Sequence, residues 1–114
     1  MIDCSPIVVS ALKTAHKNVH YELFINSKTP LPCITYRETS NKDNRTSENL
    51  KYSDIEYTVK VWSTKLSELN ALAEKVDDAL RPLGFSRTGS NELTLNDITQ
   101  KVMIYSALGA ERTE

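Results

Sequence analysis

Two histidines, two cysteines and a short run of carboxylates are the residues of this chain whose chemistry would matter most. His16 and His20 are spaced i, i+4, which on a helix puts both side chains on one face, as a zinc site needs. The helix around them is expected to end near Lys17-Asn18, leaving His20 beyond it. No Cys, Asp or Glu completes the set at useful spacing, so both read as surface or hinge histidines. Cys4 or Cys33 would be a nucleophile only with a base such as His16 or His20 beside it. Neither cysteine sits in a nucleophile motif, and Cys33 opens an apolar strand, where it reads as a small buried hydrophobe. Glu74, Asp77 and Asp78 could share acid–base work if their surroundings pushed their pKa values apart. They fall on the polar side of an amphipathic helix, where solvated charge is the expected state. Gly84, Gly89 and Gly109 form no phosphate-cradling loop. The chain is therefore read as a non-enzyme with no catalytic residue, no cofactor and no metal site.

The elements that would position these residues can be read from periodicity. Ser5 is a natural helix cap and Pro6 suits a first helical position. Ile7, Val8, Ala11, Leu12 and Ala15 follow at helical spacing, so a helix is expected from about Pro6 to Lys17. Tyr21 to Ile25 reads as a short strand. Asn26 to Pro32 reads as a turn, and Cys33 to Thr39 as a strand of β-branched and aromatic residues. Asp54 to Ser63 alternates Ile55, Tyr57, Val59 and Val61 against Glu56, Thr58, Lys60 and Trp62, the mark of a half-buried strand. With Thr64 as cap, Leu66, Leu69, Leu72, Ala73, Val76, Leu80 and Leu83 place a helix over about Lys65–Arg81. Pro82 and Gly84 end it. Phe85–Arg87 starts an extended piece, Thr88–Asn91 reads as a turn, and Gln100–Ala107 is a final strand. Tyr21–Thr39 and Phe85–Ala107 look like hairpins. These elements fit an α+β fold: a mixed, mainly antiparallel sheet of about four to five strands with two helices packed on one face.

The totals agree with such a fold. A chain of 114 residues suits one domain over 1–114 and buries enough surface for a core without a metal or disulfide staple. The formal net charge of −1 gives no long-range attraction to nucleic acid or to an anionic membrane. No sequence-specific nucleic acid and no membrane partner is expected. The absence of a long apolar run or a basic leader reads as a protein made in the cytoplasm. Its two cysteines match no zinc or disulfide framework and read as reduced thiols.

Residues 40–53 carry only Leu50 and Tyr52 as apolar side chains. Such a stretch cannot offset its ordering entropy by burial and reads as a long mobile loop. A loop of that length in a compact domain is either a solvated stretch kept soluble by mixed charge or a functional one that orders on a partner with its charges setting register, and its length favours the second. The tail from Gly109 to Glu114 reads as frayed. Candidate contact residues are therefore Lys42, Asp43, Arg45, Glu48 and Lys51 in the loop and Arg87 near the second polar stretch. Trp62, an aromatic on the polar register of its strand, joins them as an interface anchor if exposed, or is a covered side chain if both sheet faces are covered where the following helix folds back.

A longer pattern runs through these elements. Leu31-Pro32-Cys33-Ile34-Thr35-Tyr36 is followed by the polar stretch and by Ile55-Glu56-Tyr57-Thr58-Val59-Lys60-Val61-Trp62-Ser63. A helix with Leu72-Ala73-Glu74-Lys75-Val76 and a closing strand at Gln100–Tyr105 come next. In order and spacing this resembles the tail completion (tail terminator, or tail-to-head joining) proteins of long-tailed bacteriophages, over about residues 6 to 107. The resemblance implies a structural virion protein at the head–tail interface, a subunit of a hexameric ring that caps the tail tube. It implies the major tail tube protein and the head completion or connector protein as partners, and no catalytic residue. The residues alone also allow a small non-catalytic adaptor or regulatory binding domain of phage or host.

Overall fold

A computed structural model describes residues 5–22, 29–45, 50–95 and 97–112. Helix α1 (Ser5–Ala15) is followed by β1 (Val19–Tyr21), β2 (Cys33–Arg45), β3 (Leu50–Ser63), α2 (Leu66–Leu80), a 3-10 turn (Arg81–Leu83), β4 (Ser86–Leu95) and β5 (Ile98–Arg112). The five strands form one open sheet in the order β1-β2-β3-β5-β4. Only β1 and β2 run parallel; the other pairs are antiparallel. The fold is α+β, with both helices packed on one side of a mixed sheet.

Alternation along β3 sets that side. Ile55, Tyr57, Val59 and Val61 are buried, and they align with Ile34 and Tyr36 on β2 and with Met103, Tyr105 and Ala107 on β5. Val8 and Leu12 of α1, with Leu69, Leu72, Ala73, Val76 and Leu80 of α2, cover them. Each fully buried branched or aromatic side chain in that list contributes roughly 1.5–3 kcal/mol of transfer free energy.

The caps differ in detail from expectation. Ser63, not Thr64, organises the start of α2: its Oγ accepts from the Lys65 N–H at 3.1 Å and donates to Glu68 Oε1 at 2.8 Å. Ser63 does so from a fully buried position, so the polar group is satisfied where it is desolvated. At the far end Gly84 takes φ 90°, the left-handed conformation that ends the 3-10 turn. Helix α1 stops at Ala15, and the Asn18 N–H then donates to His16 Nδ1 at 3.0 Å.

Four expectations need correction. β1 and β2 do not form a hairpin but pair in parallel, Val19 with Ile34; residues 23–25 of the expected first strand and 26–28 of the expected turn lie outside the described residues. The expected loop over 40–53 is largely strand: β2 continues to Arg45, β3 begins at Leu50, and Arg45 pairs with Lys51. Backbone N–H and C=O groups, which every residue carries, hold this ladder, so its apolar content was a poor guide. Residues 88–91 are not a turn; β4 runs through them with a register shift between Arg87 and Gly89, a bulge that absorbs the turn-like residues. Finally, the expected frayed tail continues β5 as far as Arg112, opposite Leu50.

The outcome is a sheet longer than its helices. Past the bulge between Glu38 and Ser40, β2, β3 and β5 extend together as a three-stranded arm. The molecule measures 52 × 23 × 22 Å.

Candidate assembly interface

The candidate contact residues fall in three places. Lys42, Asp43 and Arg45 lie on the arm's β2, opposite Asp54, Ser53 and Lys51. Glu48 lies outside the described residues. Trp62 is near the other end of β3, and eleven residues of strand, about 37 Å at 3.4 Å per residue, separate it from Lys51. Arg87 is on β4 beside the body. The structure does not bring these residues into one cluster.

Trp62 sits on the sheet face opposite the helices. It is half-buried, and its Nε1–H donates to Thr35 Oγ1 at 2.9 Å, with Thr35 fully buried. Cross-strand register lays out this face in rows. Cys33, Trp62, Gln100 and Leu93 form one row; His20, Thr35, Lys60, Val102 and Asn91 form the next. Lys60 is ion-paired with Glu22. Gln100 Oε1 and His20 Nε2 are buried with no hydrogen-bond partner among the described residues. Leu93, at the end of its row, is 50% exposed.

Arg87 belongs to a network that sequence reasoning missed. Its Nη1 lies 3.3 Å from Asp77 Oδ2, and the Tyr105 hydroxyl donates to Asp77 Oδ1. Burial, then the Asp77 hydrogen bond and charge, hold the Tyr105 hydroxyl protonated well above the usual phenol range, against a smaller opposing pull from Arg87 and Arg81. Asp77 therefore ties α2 to β4 and β5 rather than standing solvated. The signal was its place directly after Val76 and three before Leu80, at the border of the buried stripe.

The groups with catalytic potential are dispersed. His16 directly follows α1, whereas His20 is on β1. Cys33 is buried, and burial pushes its thiol up to about 11, away from the thiolate that nucleophilic attack needs. Among the described residues no group of three His, Cys, Asp or Glu side chains is placed to hold a metal ion.

Two open grooves flank the body. One, about 540 Å³, lies where the arm leaves the body, between Gly84, Ser86, Ser106 and Ala107 and the β3 residues Asp54 to Glu56. The other, about 460 Å³, runs along α1 and is lined by Pro6, Ile7, Ser10, Ala11, Thr14 and Leu83. Ile7 and Leu83 are 56% and 39% exposed in it. A long sheet, an arm and an exposed apolar groove along α1 are means of contact between proteins.

A chain of the virion of a native gene transfer agent particle superposes with a TM-score of 0.65 at 14% identity, covering 92% of this chain and 85% of that one. That likeness concerns the fold. A search of curated protein sequences gives no match. The family described as Tail completion protein gp17 matches residues 9–109, nearly the whole length of the chain. The chain is a member of this tail completion family, a structural component of phage tails.

Proposed function

We propose that the protein is a ring-forming subunit that caps the finished tail tube and joins it to the head connector. In this reading 1–114 acts as a single non-catalytic domain in a hexameric ring at the head–tail interface. Its partners are further copies of itself, the major tail tube protein and the head completion protein. The observation that carries the reading is the three-stranded arm, in a chain whose family match spans residues 9–109. A ladder of three strands that runs on past the helix-covered part of β3 offers backbone and side chains for contact with another protein. Lys42, Asp43, Arg45, Glu48 and Lys51 would act there, and Trp62 and Arg87 at the body. Neighbouring subunits on a tube end reinforce one another, so a weak pairwise contact suffices once the template is present.

The test is replacement of residues 42–53 by a two-residue turn, followed by complementation of a phage lacking the gene. Unjoined heads and tails are expected, with the variant still folded. Normal yields of joined particles would refute the arm's role. Six-fold rings on isolated tails, seen by electron microscopy and lost in the variant, would complete the case.

A further inference from the structure

The outer strands of the arm lose the neighbours they have in the body. β1 pairs with β2 only from Ile34 to Tyr36, and β4 pairs with β5 no further than Ser106. In the arm, residues 42–45 of β2 and 108–111 of β5 each have β3 as their only strand neighbour among the described residues. An edge of this kind presents a row of backbone N–H and C=O groups, and a further strand is what pairs with such a row.

Open edges are usually guarded by shortness, a bulge or charge. β1 is three residues long, β4 has a bulge between Arg87 and Gly89, and the arm's β2 carries Lys42, Asp43 and Arg45. On β5, Leu108-Gly109-Ala110 has none of these guards. It carries no charge, and it pairs with β3 without a register shift. Gly109, in mid-strand, admits the close approach of another backbone. The groove at the arm's root, with Ser86, Ser106 and Ala107 in its lining, leaves room beside β5 where β4 ends.

Register puts the two edges level. Residues 42–45 share cross-strand rows with residues 108–111, with β3 between them. Over these rows the β2 edge carries a net +1 (Lys42 and Arg45 against Asp43) and the β5 edge −1 (Glu111). Arg112 falls one row beyond, opposite Leu50. Both strands are antiparallel to β3, so they run in the same direction. A second copy in the same orientation can therefore lay its β2 alongside β5. One chain cannot do this with itself, because β3 holds its two edges about 10 Å apart, at roughly 4.8 Å per strand.

From these edges we infer that β5 of one arm pairs, in parallel, with β2 of the arm of a second copy, bringing Glu111 beside Arg45 of that copy. The inference deepens the ring reading and rests on it for the choice of a second copy as occupant. Within one arm Arg45 stands directly opposite Lys51, a like-charge pair that the Glu111 of the neighbour offsets. The junction joins two different edges, so it repeats head to tail until it closes. Closure leaves no arm edge open.

The test exchanges charge across the junction. Glu111→Lys sets a lysine against Arg45 of the next copy, and Arg45→Glu sets a glutamate against its Glu111. Circular dichroism confirms that each variant folds. Each one, supplied alone to a phage lacking the gene, should lower the yield of joined particles at least about tenfold, because one repulsive pair recurs at every junction. Supplied together, the two should restore joining, since copies that alternate round the ring meet only opposite charges. Mixing cannot mend a fault within one chain, so restoration assigns the loss to the junction. Single variants that join particles as well as wild type would overturn the pairing. So would folded variants whose mixture joins no better than its parts, a result that would assign these charges to a different protein. Neither result touches the ring reading, which is decided by six-fold rings on wild-type tails.

A second measurement does not depend on charge. In a Cys4→Ser, Cys33→Ala background, Asp43→Cys and Gly109→Cys in one chain lie two strands apart, beyond the roughly 7 Å that a disulfide can bridge. Oxidised tails carrying this double variant should give linked species larger than dimers on non-reducing gels. Each single variant should give dimers at most. A double variant that assembles and stays unlinked would refute the pairing.

Discussion

Strand β3 crosses two regions that obey different rules. From Ile55 to Val61 its alternate side chains lie under α1 and α2 and are almost fully buried. From Leu50 to Asp54 the same strand belongs to the arm, flanked by β2 and β5. In the body, side-chain burial selects the strand and fixes its register, because a slip of one residue would turn Tyr57 and Val59 away from the core. In the arm, the ladder itself does the ordering. The body therefore needs particular residues, and the arm needs length and partners on both sides of its middle strand.

The largest effect should come from the body. Leu69→Ala, a fully buried position on α2, should lower unfolding free energy by about 2–5 kcal/mol in urea titrations. A cost below about 1 kcal/mol would mean that α2 is not what specifies the sheet.

Next in size is a pH effect on the same region. Burial raises the Cys33 thiol to about 11 in the fold. A raised acid favours the folded state below its unfolded value and loses that advantage as pH climbs to the folded one. Stability should therefore fall between about pH 9 and 11, by roughly 2 kcal/mol from this group at the linkage rate of 1.36 kcal/mol per unit. The elevated Tyr105 hydroxyl acts in the same direction above its own unfolded value. Cys33→Ala should flatten the thiol's share of the slope, and an unchanged slope would assign it elsewhere.

Trp62→Phe removes the indole donor from buried Thr35 Oγ1 and should cost about 1–2 kcal/mol by chemical denaturation. A neutral result would make Trp62 a contact residue rather than a structural one. The smallest change in stability belongs to the arm. With the backbone ladder as what orders the arm, shortening residues 42–53 should alter unfolding free energy by less than about 1 kcal/mol. A loss above about 3 kcal/mol would erase the distinction between the two regions.

The same distinction explains what could be read beforehand. Asp54–Ser63 and the α2 stripe were legible because burial leaves a period of two or 3.6 in the residues. The polar stretches at 40–53 and 88–95 hid strands, because composition reports burial and not backbone pairing. The parallel course of β1 against β2 was out of reach, since three residues carry no sign of direction. At the candidate site, Trp62 was correctly placed on the face away from the helices by its register. Asp77 was misjudged because helix polarity was read as a whole, when one position on its border carried the ion pair. The α1 groove was hidden in plain view: Ile7 follows the same spacing as Val8 and Leu12, yet only they are covered.

The strand order has a kinetic consequence. β5 is made last, yet it lies between β3 and β4 and supplies Met103 and Tyr105 to the core. Until β5 is synthesised, β3 has one bare edge and α2 an incomplete floor. The sheet closes only when residues beyond Tyr105 have left the exit tunnel, and it closes by contacts far apart in sequence, which form slowly. Closure of the sheet therefore waits for β5, the last of the five strands along the described residues, and β3 keeps an unpaired edge until it arrives.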